Sequence, residues 1–314
     1  MLSQKIAVVT GGGGFMGSHL VKRLVRDHFS VHVISKHTTN VHRLSSVMSD
    51  ITVHTIGLER RVALKKTLQK ISPSHIYHLA AHGSYPHQVD LDEMTEANIY
   101  GTLNLLVASQ DIPYKAFIHT GSSSEYGFKS HAMKETDVLE PISFYAATKA
   151  SATLLCQVFA RQYRKPIVTL RPFSVYGPNE ESTRFIPTII SRVLANTPIQ
   201  ITPKNERRDF IYIDDAIAAF VRAGEKALQL SGTIFNIGTG RQYTNDEVVQ
   251  ELFKAVHKSV PVEKGAYPPR TWDTPHWVAD ISLTKKFLGW KSKVSLSDGL
   301  VRTYNWMKLQ KFNV

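Results

Sequence analysis

Short apolar runs rich in β-branched residues recur through the first half of the chain, at positions 5–10, 31–35, 51–55, 75–79, 116–120 and 167–170. Between them the period changes to that of a helix. In His19-Leu20-Val21-Lys22-Arg23-Leu24-Val25, for example, Leu20 and Leu24 fall one turn apart, as do Val21 and Val25. Strands separated by helical stretches argue for βαβ units and a parallel sheet. Six of them predict an α/β fold of the Rossmann type, a doubly wound parallel sheet. Beyond Leu170 the pattern loosens, and Pro172, Pro178, Pro187, Pro198 and Pro203 punctuate loops around one predicted helix at 185–194. A strand at 210–213, an Asp-capped helix beginning Asp214-Asp215-Ala216 and a strand at 233–237 restore the α/β rhythm, and the tail reads as short helices. The expected division is a Rossmann sheet domain of residues 1–171 with a returning segment at about 208–240, and a smaller α/β lobe of about residues 172–207 and 241–314. With no Ser/Gly-rich linker between them, the lobe is expected to pack against the sheet.

Composition narrows the class. Of 314 residues, 42% are hydrophobic and 20% charged, which excludes disorder, collagen and coiled coil as the main architecture. No apolar run approaches the ~18 residues of a membrane span, and a strand-like KIAVVT starts at Lys5, so neither a membrane segment nor a signal peptide is expected and the location is expected to be cytoplasmic. Lys and Arg outnumber Asp and Glu by 38 to 26, for a net charge of +12, which favours an anionic partner. The basic residues are scattered as pairs without a basic arm or nucleic-acid module, so a phosphorylated small molecule is expected and nucleic acid is not. Cys156, the only cysteine, lies in an apolar helical stretch and reads as core. The 14 histidines are too dispersed for a metal site; His82, His87 and His119 are candidates for lining a ligand pocket, against commoner surface or core roles.

Three features carry chemistry. The first strand runs into Thr10-Gly11-Gly12-Gly13-Gly14-Phe15-Met16-Gly17 and then a helix, the context in which a backbone can approach a pyrophosphate at a helix N-terminus. Both GxGxxG (Gly12, Gly14, Gly17) and TGxxGxxG (Gly11, Gly14, Gly17) fit the run. Tyr145 and Lys149, four residues apart, share one face of a predicted helix. His119-Thr120-Gly121-Ser122-Ser123-Ser124-Glu125-Tyr126-Gly127 offers hydroxyls at a strand's carboxyl end, where open α/β sheets bind ligands.

With these segments the chain resembles the extended short-chain dehydrogenase/reductases, specifically their nucleotide-sugar epimerase/dehydratase/reductase group. The resemblance also runs through His78-Leu79-Ala80-Ala81, Asn98, Gly101-Thr102-Leu103-Asn104, Arg171-Pro172-Phe173-Ser174-Val175-Tyr176-Gly177-Pro178, Arg208-Asp209-Phe210, Phe235-Asn236-Ile237-Gly238 and Leu288-Gly289-Trp290, nearly the whole chain. It implies Tyr145 as acid/base, Lys149 holding the cofactor ribose and lowering the phenol's pKa, and Ser122 hydrogen-bonding the reacting oxygen. It further implies cofactor contacts from Gly11, Gly14, Phe15, Met16, Gly17, Ser35, Lys36, Leu58, Ala80, Ala81 and Asn98. Substrate contacts are expected from Ser123, Ser124, Ser174, Arg184, Arg208 and Arg270, the last followed by Asp273. A homodimer through the helices at 98–109 and 145–160 is expected.

At the end of the second strand Ser35-Lys36-His37 stands where an acidic residue would bind the adenosine ribose, which favours NADP(H), with Arg43 a further contact and NAD(H) as the alternative. Gly57 stands where the family has an acidic residue for the adenine amine. Ser123 and Ser124 occupy the positions where 4,6-dehydratases carry acidic groups, and Glu125 comes one residue later, on what reads as a strand-like segment that turns it away. The expected reaction is therefore NADPH-dependent reduction of a 4-keto-6-deoxy nucleotide-diphosphate sugar at C4. A 4-epimerase is the alternative, a 4,6-dehydratase is less favoured, and a dinucleotide-sensing binding protein is the non-enzymatic reading. On this view Glu125→Gln is expected to be nearly silent.

Overall fold

The apolar runs of the first half become the strands of one parallel sheet. The computed structural model describes residues 5–36, 41–85, 87–202, 206–265 and 274–311. In chain order the first half comprises β1 (Ile6–Thr10), α1 (Phe15–Arg26), β2 (Ser30–Ser35), β3 (Ile51–Thr55), α2 (Arg61–Ile71), β4 (His75–His78), α3 (Leu91–Thr95), α4 (Gly101–Ser109), β5 (Ala116–Thr120), α5 (Phe144–Gln162) and β6 (Ile167–Pro172). The second half comprises β7 (Ser174–Tyr176), α6 (Phe185–Ala195), β8 (Ile199–Ile201), β9 (Arg207–Arg208), β10 (Phe210–Tyr212), α7 (Ile213–Lys226), β11 (Ile234–Ile237), β12 (Tyr243–Thr244), α8 (Asn245–Val256), β13 (Val262–Lys264) and α9 (Leu296–Lys311).

Seven strands form the main sheet in the order β11-β6-β5-β4-β1-β2-β3, and its pairings are parallel. The chain runs from β1 outward to β3 and then returns on the other side as β4, so the order reverses between β1 and β4, and a crevice opens beyond their carboxyl ends. Both faces of the sheet are covered, as parallel sheets require. Along β1 the side chains alternate: Ala7 and Val9 enter one core with Leu20, Leu24, Ala216 and Phe220, whereas Val8 enters the other with Leu64, Leu68, Leu105 and Phe117. Cys156 is fully buried in the second core. The first core continues without a break into Ile186, Phe210, Val248 and Leu300, so the second half packs on the sheet through shared apolar surface. No helix of the described residues is long and apolar enough to cross a membrane.

Two expectations about the second half need correction. Asp214 and Asp215 do not cap α7, whose flanking residue is Tyr212 with no side-chain cap. Asp215 instead accepts the backbone amides of Lys293 and Val294, each at 2.8 Å, and ties the C-terminal segment to α7. Nor is the tail made only of short helices. Thr244 and Glu247 close a capping box on the 12-residue α8, and α9 runs for 16 residues.

Candidate functional site

The crevice begins with backbone. Gly11 has φ +71°, and a Cβ there would stand 2.5 Å from the Ala80 amide, so only glycine lets the turn lie against the exit of β4. A Cβ on Gly17 would overlap the Gly11 carbonyl, which sets how closely α1 docks on the turn. The Gly14 amide donates to that same carbonyl at 3.0 Å. Gly11, Gly14 and Gly17 thus act together, in the TGxxGxxG register. No side chain caps α1 and no acidic residue sits in its first turn, so the amides around Phe15 and Met16 face the crevice uncompensated. Ala80 is half-buried and Ala81 exposed at the facing edge.

Farther along, Leu58 packs against Gly101, and its carbonyl accepts from the Asn104 amide at 2.9 Å. Gly57 carries no carboxylate, yet that of Glu59 lies where a Gly57 side chain would stand. At the ribose end Ser35 donates to the Lys36 carbonyl at 3.3 Å, and Lys36 is exposed; His37 lies outside the described residues. Arg43 is committed elsewhere: its Nε donates to the Asn179 carbonyl at 3.0 Å and its guanidinium lies 3.8 Å from Glu181.

Asn98 has its amide fully occupied inside the protein. Its carbonyl accepts from His82 N, and its NH₂ donates to the His82 carbonyl and to Thr148 Oγ1, all at 2.8 Å. It sits in a π-helical turn (Glu96–Tyr100) that breaks the α-helical register just before α4. From there it ties the loop after β4 to α5, the helix bearing Tyr145 and Lys149.

Ser122, Tyr145 and Lys149 converge. Ser122 follows β5, and its hydroxyl is one of the groups that act on the Tyr145 phenol. Burial pushes that phenol up, opposed by the Ser122 hydroxyl and by the Arg184 guanidinium. Among the cations, the Arg184 guanidinium is the one that lowers it most. Lys149 itself is 3% exposed, and no hydrogen bond to its ammonium is found among the described residues. Burial pulls it down to about 8, with the Glu125 carboxylate opposing. A buried ammonium that a ribose diol would satisfy, a glycine turn that a Cβ would block and bare amides at a helix start fit a dinucleotide.

The segment after Ser122 is a 3₁₀ turn (Ser123–Tyr126) and not strand-like. Ser122 caps it: its Oγ accepts from the Ser124 amide at 3.1 Å, while Glu125 reaches back to accept the Ser122 amide at 2.7 Å. The Ser-x-x-Glu spacing was the sequence signal for this capping box. Glu125 is fully buried and paired with Arg171 at 2.8 Å. Its carboxylate is taken up by this inward ion pair and by the Ser122 amide, and strand alternation plays no part.

Side chains from several segments build the opposite wall. Arg184, at the start of α6, stacks its guanidinium 5.3 Å from the centroid of the Tyr85 ring, and both groups act on Tyr145. Nearby Glu180, which sequence reasoning passed over, is pushed up to about 8 by burial, and its Oε2 has no hydrogen-bond partner among the described residues. Arg208 lies 5.0 Å over the Trp277 ring, and Trp277 Nε1 donates to Ser123 Oγ at 3.2 Å, linking the two walls. Beneath Arg208, the buried Asp209 accepts from Thr239 N, Thr239 Oγ1, Gly240 N and Ala279 N at 2.6–3.2 Å. The Ser174 amide donates to the Asp209 carbonyl at 3.0 Å. Ser124 is half-buried on the 3₁₀ turn. Arg270 and Asp273 lie outside the described residues.

Of the histidines, His82 pairs with Glu93 at 3.1 Å, and His87 is exposed and stacked on Tyr85. His119 is fully buried with both ring nitrogens unpartnered, and burial pulls its pKa well down, so it belongs to the core beneath the site.

Comparison with known proteins agrees with this geometry. The chain is 29% identical over 319 residues to a UDP-glucose 4-epimerase of Mycolicibacterium smegmatis, covering 96% of this chain and 98% of that one. It is 28% identical over 327 residues to the dTDP-D-glucose 4,6-dehydratase of Mus musculus, covering 97% and 89%. The crystal structure of UDP-glucuronic acid 4-epimerase from Bacillus cereus, in complex with UDP-glucuronic acid and NAD, superposes with a TM-score of 0.86 at 32% identity, covering 97% of this chain and 99% of that one. These activities are epimerisation and dehydration, so the expected preference for 4-keto reduction is not supported. The bound cofactor is NAD, and a preference for NADP is not supported either. Residues 7–238 match the NAD dependent epimerase/dehydratase family, and the chain belongs to that family, within the extended short-chain dehydrogenase/reductases.

Proposed function

We propose that this protein is a nucleotide-sugar 4-epimerase with a resident NAD. Epimerisation and dehydration are both represented among its relatives, and one observation favours epimerisation: the two positions after Ser122 are serines, and the carboxylate that follows them, Glu125, is locked in a buried ion pair. Elimination of water needs an extra acid and base beside the sugar. Epimerisation at C4 needs only a hydroxyl holder and one proton carrier.

NAD, when bound, supplies the hydride acceptor and donor. In this reading Ser122 holds the C4 hydroxyl, Tyr145 as the phenolate, which the positive charge of a bound oxidised nicotinamide would favour, takes its proton as C4 is oxidised, and the phenol so formed returns the proton after the keto sugar has turned its other face. Lys149 holds the ribose, and Arg208 binds the sugar-nucleotide diphosphate. No cofactor is consumed, so tight retention is an advantage. The Lys149 ammonium is required for this role, so activity is expected to fall as pH rises through about 8, where burial has placed its pKa.

Incubation with UDP-glucose and with UDP-glucuronate, followed by chromatography and nicotinamide absorbance, tests the reading. A C4-epimerised product without net absorbance change is expected. A 4-keto-6-deoxy product would mean dehydration, consumption of added NADPH by a 4-keto sugar would restore the reductase, and NAD binding without turnover would favour a sensing protein. We also propose a homodimer through α5, where Phe144, Leu154 and Val158 are 66%, 52% and 53% exposed on one helical face. A solution mass of one chain would exclude it.

A further inference from the structure

Glu125 joins three elements at once. Its carboxylate accepts from Ser122 N at 2.7 Å, from Thr153 Oγ1 of α5 at 3.0 Å and from Arg171 Nε of β6 at 2.8 Å. Glu125 is 0% and Arg171 1% exposed. A Cβ on Gly121 would stand 2.6 Å from Glu125 Oε1, so the glycine before Ser122 makes room for the carboxylate. Arg171 lies 4.6 Å over the Tyr126 ring, and the Tyr126 hydroxyl donates to Asn236 Oδ1 of β11 at 2.7 Å, which anchors the pair to the edge of the sheet. On α5, Tyr145, Lys149 and Thr153 follow at four-residue intervals along one face. The carboxylate therefore grips one end of the stripe that carries the acid/base and, at the same time, the backbone of the serine facing that acid/base.

A buried ion pair is a poor stabilising device, since its desolvation offsets most of the attraction and apolar residues of similar volume serve as well. We propose that Glu125 is a positioning residue of the active site: with Arg171 it clamps the Ser122 turn to the face of α5 that carries Tyr145 and Lys149. This rests on the reading of Ser122, Tyr145 and Lys149 as the catalytic set.

The electrostatics around Lys149 agree. The groups acting on or with it are Glu125 from the turn, Cys156 from its own helix, His78 from β4 and His119 from β5. Burial pushes the Cys156 thiol up and pulls both imidazoles down, so these three stay neutral near pH 7. Burial pushes the Glu125 carboxyl up, opposed by Arg171, the Ser122 amide and Lys149; paired with Arg171 it is the main group that opposes burial at Lys149, and without it Lys149 loses its proton at lower pH.

Glu125→Gln tests this, because it preserves shape and an acceptor for the Ser122 amide while removing the charge. In the cofactor-free protein, labelled with [ε-¹³C]lysine and with Lys149→Arg used to assign the resonance, Lys149 is expected to titrate about one pH unit or more lower than in the wild type. With UDP-glucose, or with UDP-glucuronate if that is epimerised faster, kcat is expected to fall ~10- to 100-fold with KM within about threefold, and the alkaline limb of the rate profile to move down with Lys149. Should Glu125→Gln fold poorly, Glu125→Met/Arg171→Met removes both charges and is expected to recover the thermal midpoint but not kcat. Recovery of full kcat in that double variant, or an unshifted Lys149 with unchanged kcat in Glu125→Gln, overturns the proposal. Tyr145→Phe in parallel separates the two failures. An inactive Tyr145→Phe beside a fully active Glu125→Gln defeats the positioning role alone, whereas an active Tyr145→Phe defeats the catalytic reading beneath it.

Discussion

The two walls of the crevice are built from different material. On the cofactor side the surface is backbone: a glycine turn against Ala80, bare amides at the start of α1, and Leu58 over Gly101. On the substrate side it is long side chains held by other side chains: Arg184 on Tyr85, Arg208 on Trp277, Trp277 on Ser123, and Asp209 collecting four donors beneath them. A backbone surface has one shape and suits a ligand part that does not vary. A side-chain surface can be changed residue by residue, which is how one family comes to handle several sugars on one scaffold.

The comparison can be broken at its seam first. Tyr145→Phe is expected to lower turnover by about 10² to 10⁴ while NAD still binds, because it removes only the proton carrier between the walls; single-turnover absorbance with bound NAD checks this. Next comes the substrate wall. Arg208→Ala is expected to raise KM for the sugar nucleotide by ~10- to 100-fold with a smaller change in kcat, since a charged contact made in ground and transition states alike is lost. Steady-state kinetics and NAD calorimetry decide it, and a large loss of NAD affinity would show that the walls are not separable.

On the backbone wall, Gly17→Ala is expected to weaken NAD at least about tenfold and to lower stability by about 1–3 kcal/mol, because its Cβ overlaps the Gly11 carbonyl. Calorimetry and thermal melting would register both. Charged side chains on this wall are expected to matter least: Glu59→Ala should weaken NAD by about 1 kcal/mol, and Lys36→Ala by under about 0.5 kcal/mol, as for an exposed charge. A larger loss for NADPH than for NAD in Lys36→Ala would revive the phosphate-binding role of Ser35 and Lys36.

Much of the molecule was legible in the sequence because it rests on short-range rules. The strand and helix periods along 5–120, the glycine turn and the four-residue step from Tyr145 to Lys149 follow from local geometry, and the sheet follows from their alternation. The 3₁₀ turn after Ser122 was also legible, in the Ser-x-x-Glu capping box, but the run of apolar and small residues before it favoured a strand. Only the tertiary structure decided the rest. Glu125 meets Arg171 across 46 positions, Trp277 meets Ser123 across 154, and Arg43 meets Asn179 across 136. No local pattern encodes such partners, because a side chain's charge becomes structural or chemical only once folding has chosen what is buried beside it. Lys149 is the plainest case: its place one turn from Tyr145 is written in the sequence, whereas its depressed proton affinity exists only because the fold removes its water and leaves the Glu125 carboxylate to oppose the loss.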